Sequence, residues 1–319
     1  MKFIFLNLYI KCIVAIYLVF VMVKKIPSSY TIYSFSPDNK PVEKVSPGEI
    51  VVFETLDALG GQIKSENMIL TNIDWSRVNP ATGPLYIEGA EPGDALVVNI
   101  LDIDIDDHAI IVVIPDAGIL KHKKFRPRVK IMPIAKGCVL FNGIKLIAKP
   151  MIGVIGVSPL NSVISTGTSG PHGGNMDVAE ITKGSRVYLP VFAKGALLAI
   201  GDLHALQADG EICVAAAETS GSVTVKVELI KGKKPILPIV ETQDHIHIIG
   251  YGETLDEAAY RATEVAVEAL MKEHSIAFEE AYMLASLAVN LKINQVVDPA
   301  KGVRATIPKN LLSIDSLLQ

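Results

Sequence analysis

Short apolar runs alternate with turn residues over most of the chain. Ile50-Val51-Val52-Phe53, 84–87 and 95–101 are such runs, with Pro-Gly pairs at 47–48 and 92–93 beside them. Runs this short, rich in Val and Ile and punctuated in this way, predict strands. A second series follows at 139–141, 151–157, 186–191, 197–201, 212–217 and 222–229, with Gly or Pro between the runs. That spacing predicts a sandwich or a barrel.

Helical periodicity comes late. Thr254 with Glu257 has the form of a capping box, in which the two residues satisfy N–H groups that the first helical turn leaves open. Behind it Ala258, Ala262, Val265, Ala266, Ala269 and Leu270 recur at helical spacing and predict a helix over 255–273. The segment 278–290 predicts a second helix, with Ala281, Leu284, Ala285 and Ala288 on one face, before an extended stretch around 303–307. Strands first and helices afterwards mean α+β, mainly β: sandwich, jelly-roll-like or barrel-like sheets with a C-terminal α+β part carrying two helices. The expected organisation is a leader or extension over 1–21 outside the fold, a β-rich domain over 22–221 with the polar loops, and a part over 222–319 packed on it. No period of 20 to 50 residues points to a solenoid.

Composition narrows the function classes. The chain has 319 residues, with 30 Lys and Arg against 34 Asp and Glu and a net charge of −4. That balance excludes an electrostatic nucleic-acid binder and leaves small neutral or weakly charged ligands as partners. Cys12, Cys138 and Cys213 are odd in number, far apart and without CxxC spacing, which suits a reducing cytoplasm and argues against a disulfide framework or a thiolate zinc site. Residues 3–23 are almost wholly apolar, broken by Asn7 and Lys11. The run ends Val21-Met22-Val23-Lys24-Lys25 without a small-x-small cleavage triplet, so an extension ahead of a start at Met22 is the leading reading. A membrane anchor and a signal peptide are its alternatives.

The densest chemistry lies between 165 and 220. Pro171-His172-Gly173-Gly174-Asn175-Met176-Asp177 gathers an imidazole, an amide and a carboxylate on a glycine-hinged loop. Gly201-Asp202-Leu203-His204 follows an apolar strand. If the strand continues, Asp202 and His204 share a face and are chelating partners for a divalent metal, while Leu203 points to the core. Their alternative is a simple hydrogen bond to each other at a strand end. Glu54 and Asp57 interrupt another apolar run, and carboxylates so placed are costly unless paired or metal-bound. Glu218 closes the run 213–217, where burial would raise its pKa and suit a general base; a solvated strand-end glutamate is the plainer alternative. His245 and His247 read as structural or rim residues, Cys213 as an inert core thiol, and Ser169 lacks a nucleophile elbow.

These residues carry a likeness. Phe53-Glu54-Thr55-Leu56-Asp57-Ala58 with Gly61-Gln62, Gly93-Asp94, the segment from Pro171 to Asp177, the segment from Gly201 to Glu211 through Glu218, and Gly302-Val303-Arg304 resemble the acetamidase/formamidase family from about residue 29 onward. One departure is Ala208, where the family pattern has Gly. The resemblance implies hydrolysis of short aliphatic amides such as formamide and acetamide to carboxylate and ammonia by a cytoplasmic homodimer or higher homo-oligomer. It also implies a divalent metal ion, with zinc expected, held by His172, Asp202 and His204 with Asp57 as a fourth ligand. Glu218 would then be the base, and Asn175 a hydrogen-bond donor to the developing oxyanion or the substrate amide. Two rivals remain at this stage: a metal hydrolase of another amide, carbamoyl or cyclic amide compound, and a non-catalytic β-sandwich module in which the same residues cap turns.

Overall fold

The computed structural model describes residues 23–319, so the expectations for residues 1–21, Met22 and Cys12 lie outside the described residues. Two large sheets face each other. In spatial order the nine-stranded sheet holds Lys24–Ile26, Ile50–Thr55, Gly221–Ile230, Ala95–Ile105, Arg186–Pro190, Ile239–Glu241, His245–Gly252, Lys301–Pro308 and Asn290–Gln295. The eleven-stranded sheet contains the run His108–Val113, Glu218–Thr219, Leu198–His204, Met151–Gly156 and Gly173–Asn175, with Ala81–Ile87 also paired to Leu198–His204.

Strand alternation makes the core. Val51, Phe53, Val223, Val225 and Val227 of the first sheet meet Ile152, Ile155, Leu198, Ile200 and Leu203 of the second in one apolar layer. Burying each such side chain stabilises the fold by about 1.5–3 kcal/mol. Both sheets are open, so the barrel alternative gives way to packed sheets with two C-terminal helices. Gly221–Ile230 lies between Ile50–Thr55 and Ala95–Ile105, so residues 222–319 share a sheet with residues 22–221.

The first helix, Leu255–His274, starts where the capping signal places it. Thr254 Oγ1 accepts the Glu257 N–H at 3.2 Å, and the Glu257 carboxylate accepts the Glu253 N–H at 3.0 Å. The helix lies on His245–Gly252 and Lys301–Pro308, with Ala262, Ala266 and Ala269 packed on Ile246, Ile248 and Ile307. A Cβ at Gly250 would stand 2.1 Å from the Ala258 carbonyl oxygen, so glycine permits this close approach. The second helix is Phe278–Ala288, two residues shorter than its periodicity predicts.

One expected strand is absent. Residues 212–217 form a turn, with Glu211 at φ 41° and Val214 at φ 99°. A left-handed backbone breaks strand pairing, and it is a true outlier for a β-branched residue. Cys213 therefore sits in this turn rather than mid-strand. Glu218 begins the two-residue strand Glu218–Thr219 instead of ending a longer one.

Candidate functional site

Register brings the first three groups together. Asp202 and His204 lie two apart on one strand, and Leu203 between them joins the main core, as alternation requires. Glu218 is paired directly across from His204 on the neighbouring strand, a cross-strand position that puts side chains in contact. His204 Nε2 lies 3.2 Å from Asp202 Oδ1 and 3.0 Å from Glu218 Oε2, while Glu218 Oε1 accepts the Ala216 N–H at 2.7 Å.

The far side of the imidazole is set by Gln207, whose Oε1 is 2.7 Å from His204 Nδ1. Gln207 Nε2 donates to the backbone carbonyls of Asp177 at 2.9 Å and Asn294 at 3.3 Å, which fixes the amide orientation. His204 Nδ1 therefore carries a proton, and Nε2 is the atom turned toward the carboxylates.

Three more carboxylates surround this set. The side chains of Asp177, His204 and Glu211 form a second trio with possible ligand atoms within 4.8 Å of one another, beside the trio of Asp202, His204 and Glu218. Asp298 arrives from the C-terminal part and accepts a hydrogen bond from Asn175 Nδ2 at 2.7 Å. The backbone is left-handed at Asp177 (φ 48°) and Asp202 (φ 55°) as well as at Glu211. Such conformations cost about 1–3 kcal/mol each and persist where the surroundings enforce them. Room for the carboxylates comes from Gly153, where a Cβ would lie 2.4 Å from Asp202 Oδ2 and 2.8 Å from Asp177 Oδ1.

The charge does not balance. Asp177, Asp202, Glu211 and Glu218 are buried and Asp298 is half-buried, and among the described residues no Lys or Arg nitrogen lies within 4.0 Å of the five carboxylates. Burial raises Glu218 to about 7, with Asp202 adding to the rise, and burial raises Asp298 to about 7 as well. Asp177 and Glu211 are pushed well above the usual carboxylate range, first by burial and then by neighbouring carboxylates. For His204, burial disfavours the charged form, but Glu218 and Asp202 outweigh it and hold the imidazole well above its ordinary value. A cation is what this set lacks.

The donors suit a divalent ion. Oxygen-to-nitrogen separations of 3.0 and 3.2 Å are those of ligands each about 2.1 Å from a common ion. Both Asp177 carboxylate oxygens and Asn175 Oδ1 are buried without a hydrogen-bond partner among the described residues. An uncompensated acceptor of this kind is costly unless a cation or a donor arrives.

His172 and Asp57 are placed elsewhere. His172 is fully buried, packs edge-on against Phe35 at 5.0 Å between ring centroids, and is held neutral by burial with a pKa lowered to about 4. Neither residue is in the trios. Asp57 Oδ1 accepts the N–H groups of Leu59 at 2.8 Å and Gly61 at 3.1 Å, shaping a turn, and Glu54 pairs with Lys25 at 2.6 Å. Asn175 spends one of its two amide N–H donors on Asp298, and its Oδ1 is an acceptor without a partner among the described residues.

A second buried ionic group supports the first. Arg304, 1 % exposed, donates from Nη2 to Glu180 at 2.9 Å and Asp209 at 2.6 Å, and from Nη1 to Asn294 Oδ1 at 2.8 Å. Asp209 immediately precedes Gly210 and Glu211. Gly210 N–H in turn donates to the Asn294 carbonyl at 2.9 Å, so this segment is latched to the strand Asn290–Gln295.

Asn175, Asp202, Glu211, Glu218 and Asp298 open on a cavity of about 330 Å³. Residues 28–170 and 165–313 match the acetamidase/formamidase family. The chain belongs to that family. An acetamidase from Bacillus halodurans is 41% identical, with a TM-score of 0.89 over 92% of this chain and 99% of that one. A formamidase from Methylophilus methylotrophus is 28% identical over 366 residues, 88% of each protein. A gamma lactamase from Delftia acidovorans is 26% identical, with a TM-score of 0.62 over 89% of this chain and 90% of that one. Sequence reasoning about this family member missed Gln207, Asp298 and Arg304 as contributors; Gln207 stood three residues after His204, while Asp298 had only its place in an Asp-Pro loop to mark it.

Proposed function

We propose that this chain is an amidase that hydrolyses short linear amides, formamide and acetamide among them, to carboxylate and ammonia at the His204 cluster. The observation that carries the proposal is the set of five carboxylates, four of them buried, and one buried imidazole opening on a cavity, in a chain belonging to this family. Asp202, His204 and Glu218 would hold a divalent ion, with zinc the natural choice for mixed imidazole and carboxylate donors. When bound, that ion supplies Lewis acidity toward the amide carbonyl and toward water.

The remaining work falls to the chain. Asn175 Oδ1, buried and without a donor, accepts an N–H of the carboxamide and turns its carbonyl carbon to the acid groups. Asp298, raised to about 7 by burial, takes the proton of the attacking water as the C–O bond forms. It returns that proton to nitrogen as the C–N bond breaks, and ammonia leaves. In this assignment Glu218 moves from base to ligand, and His172 and Asp57 have no part in holding the ion. Free thiols at Cys138 and Cys213 support a reducing, cytoplasmic setting. Among the described residues no helix is long and apolar enough to cross a membrane.

The test is ammonia release from formamide, acetamide, propionamide and urea by protein purified without chelator, alongside its metal content. Ammonia from the simple amides with about one divalent ion per chain supports the proposal; a metal-free protein inert toward every amide would reduce it to a binding module. The gamma lactamase likeness favours a second reading, a cyclic amide. Ring opening of a γ-lactam, followed as a new primary amine, separates it from the first.

A further inference from the structure

The cavity is two-sided in its chemistry. Its acid residues account for the reaction, yet its lining also includes Leu59, Trp75, Val78, Val112, Ile114 and Val214. All but Trp75 belong to a satellite core built mainly from the long excursion between the strands Ile50–Thr55 and Ala81–Ile87 and from the strand His108–Val113, with Val214 of the 212–217 turn beside it. Leu59 and Val112 are buried in it, and Val78, Ile114 and Val214 pack against it. Exposure climbs from 3% at Val112 and 5% at Leu59 to 47% at Trp75, so the apolar lining runs from a closed interior to an open mouth.

Formamide and acetamide leave that lining without a task. A water molecule takes about 30 Å³ of liquid, so the four heavy atoms of acetamide fill roughly 120 Å³ on the same scale. The cavity measures about 330 Å³. Allowing for an ion, one water and incomplete filling of the open mouth, space for about three or four further heavy atoms remains. An apolar wall facing a small polar substrate would hold poorly bound water, which an alkyl chain displaces favourably.

We propose that the substrate class of this amidase is the primary amides of saturated acids with about five or six carbons, the acyl chain lying along Leu59, Val78, Val112 and Ile114 toward Trp75 and the carboxamide against Asn175 and the carboxylates. This rests on the amidase reading of the same site and specifies which amides it prefers. The reaction is unchanged: water adds to the carbonyl carbon, the C–N bond breaks, and a fatty carboxylate and ammonia result.

The test is kcat/KM for ammonia release from formamide, acetamide, butyramide, pentanamide and hexanamide, with N-butylacetamide followed as butylamine. The expected result is a rise of about fourfold per methylene from acetamide to pentanamide, the increment that burial of a CH₂ group supplies. Val78→Phe, which narrows the wall assigned to the acyl chain, should then cut the pentanamide and hexanamide values at least about tenfold more than it cuts the acetamide value. Values greatest for formamide or acetamide and falling with length overturn this inference and leave the amidase reading standing. Preference for N-butylacetamide over hexanamide also overturns it, because the wall would then hold the amine side. Product from none of the compounds overturns both.

Discussion

Two ionic clusters meet at the segment 207–211, through Gln207 on His204 and Asp209 on Arg304, and they are built oppositely. Around Arg304, the guanidinium and the Lys292 ammonium, 3.9 Å from Glu180, face the two carboxylates of Glu180 and Asp209, and the charges close within the chain. Around His204, five carboxylates surround one imidazole, and they do not. A buried charge left uncompensated is among the most costly features a fold can carry. The Arg304 cluster therefore reads as framework, and the His204 cluster as a receptor for a cation from outside. The difference is one of charge balance and of depth, since Glu180 and Asp209 reach solvent while Asp177, Asp202 and Glu218 do not.

The contrast breaks first at the reacting groups. Asp298→Asn should keep the ion and lose about 10²- to 10⁴-fold in turnover, whereas Glu218→Gln should lose the ion itself. Metal analysis beside ammonia-release rates checks both, and ion retention in Glu218→Gln with turnover gone would return the base role to Glu218.

Next come opposite signs of stability. Arg304→Leu removes the buried guanidinium that ties half-buried Glu180 and exposed Asp209 to Asn294, and should cost about 1–3 kcal/mol in denaturant unfolding. Asp177→Asn removes an excess charge and should stabilise the metal-free protein in the same assay. A loss of stability in both variants would erase the distinction between the clusters.

Gly153→Ala is a smaller perturbation. A methyl 2.4 Å from Asp202 Oδ2 must displace that carboxylate, so ion affinity should fall about 10- to 100-fold with the fold intact, measured by titration of the chelator-treated protein.

The most gradual effect is in pH. Carboxyl groups raised in the folded state, Glu218 and Asp298 to about 7, hold protons that the unfolded chain releases near its ordinary values. Their contribution is complete in acid and is lost as pH rises through about 7, at about 1 kcal/mol per pH unit for each proton. Unfolding midpoints of the metal-free protein should fall over that window, and a saturating divalent ion should flatten the slope.

Legibility from sequence follows the range of the contacts. The i, i+2 pair Asp202 and His204, the cap at Thr254 and both helices are local, and their patterns are readable along the chain. Glu218 beside His204 depends on strand register, and Asp298 beside Asn175 joins residues 123 positions apart, which no local pattern encodes. The strand expected over 212–217 failed for a related reason. Its Val and Ala serve a cavity wall, and the backbone turns at Val214 to take them there. His172 shows the converse: a conspicuous imidazole on a glycine loop that packs against Phe35 rather than entering the trios.

The central strand Gly221–Ile230 also sets a timetable for synthesis. Ile50–Thr55 and Ala95–Ile105 leave the ribosome more than a hundred residues before the strand that joins them. At about 5–20 residues per second the wait is on the order of ten seconds, during which two apolar strand edges lack their partner. Asp298 comes later still. A nascent chain thus carries exposed edges long before it carries any chemistry, and its need for protection during translation is written into the strand order.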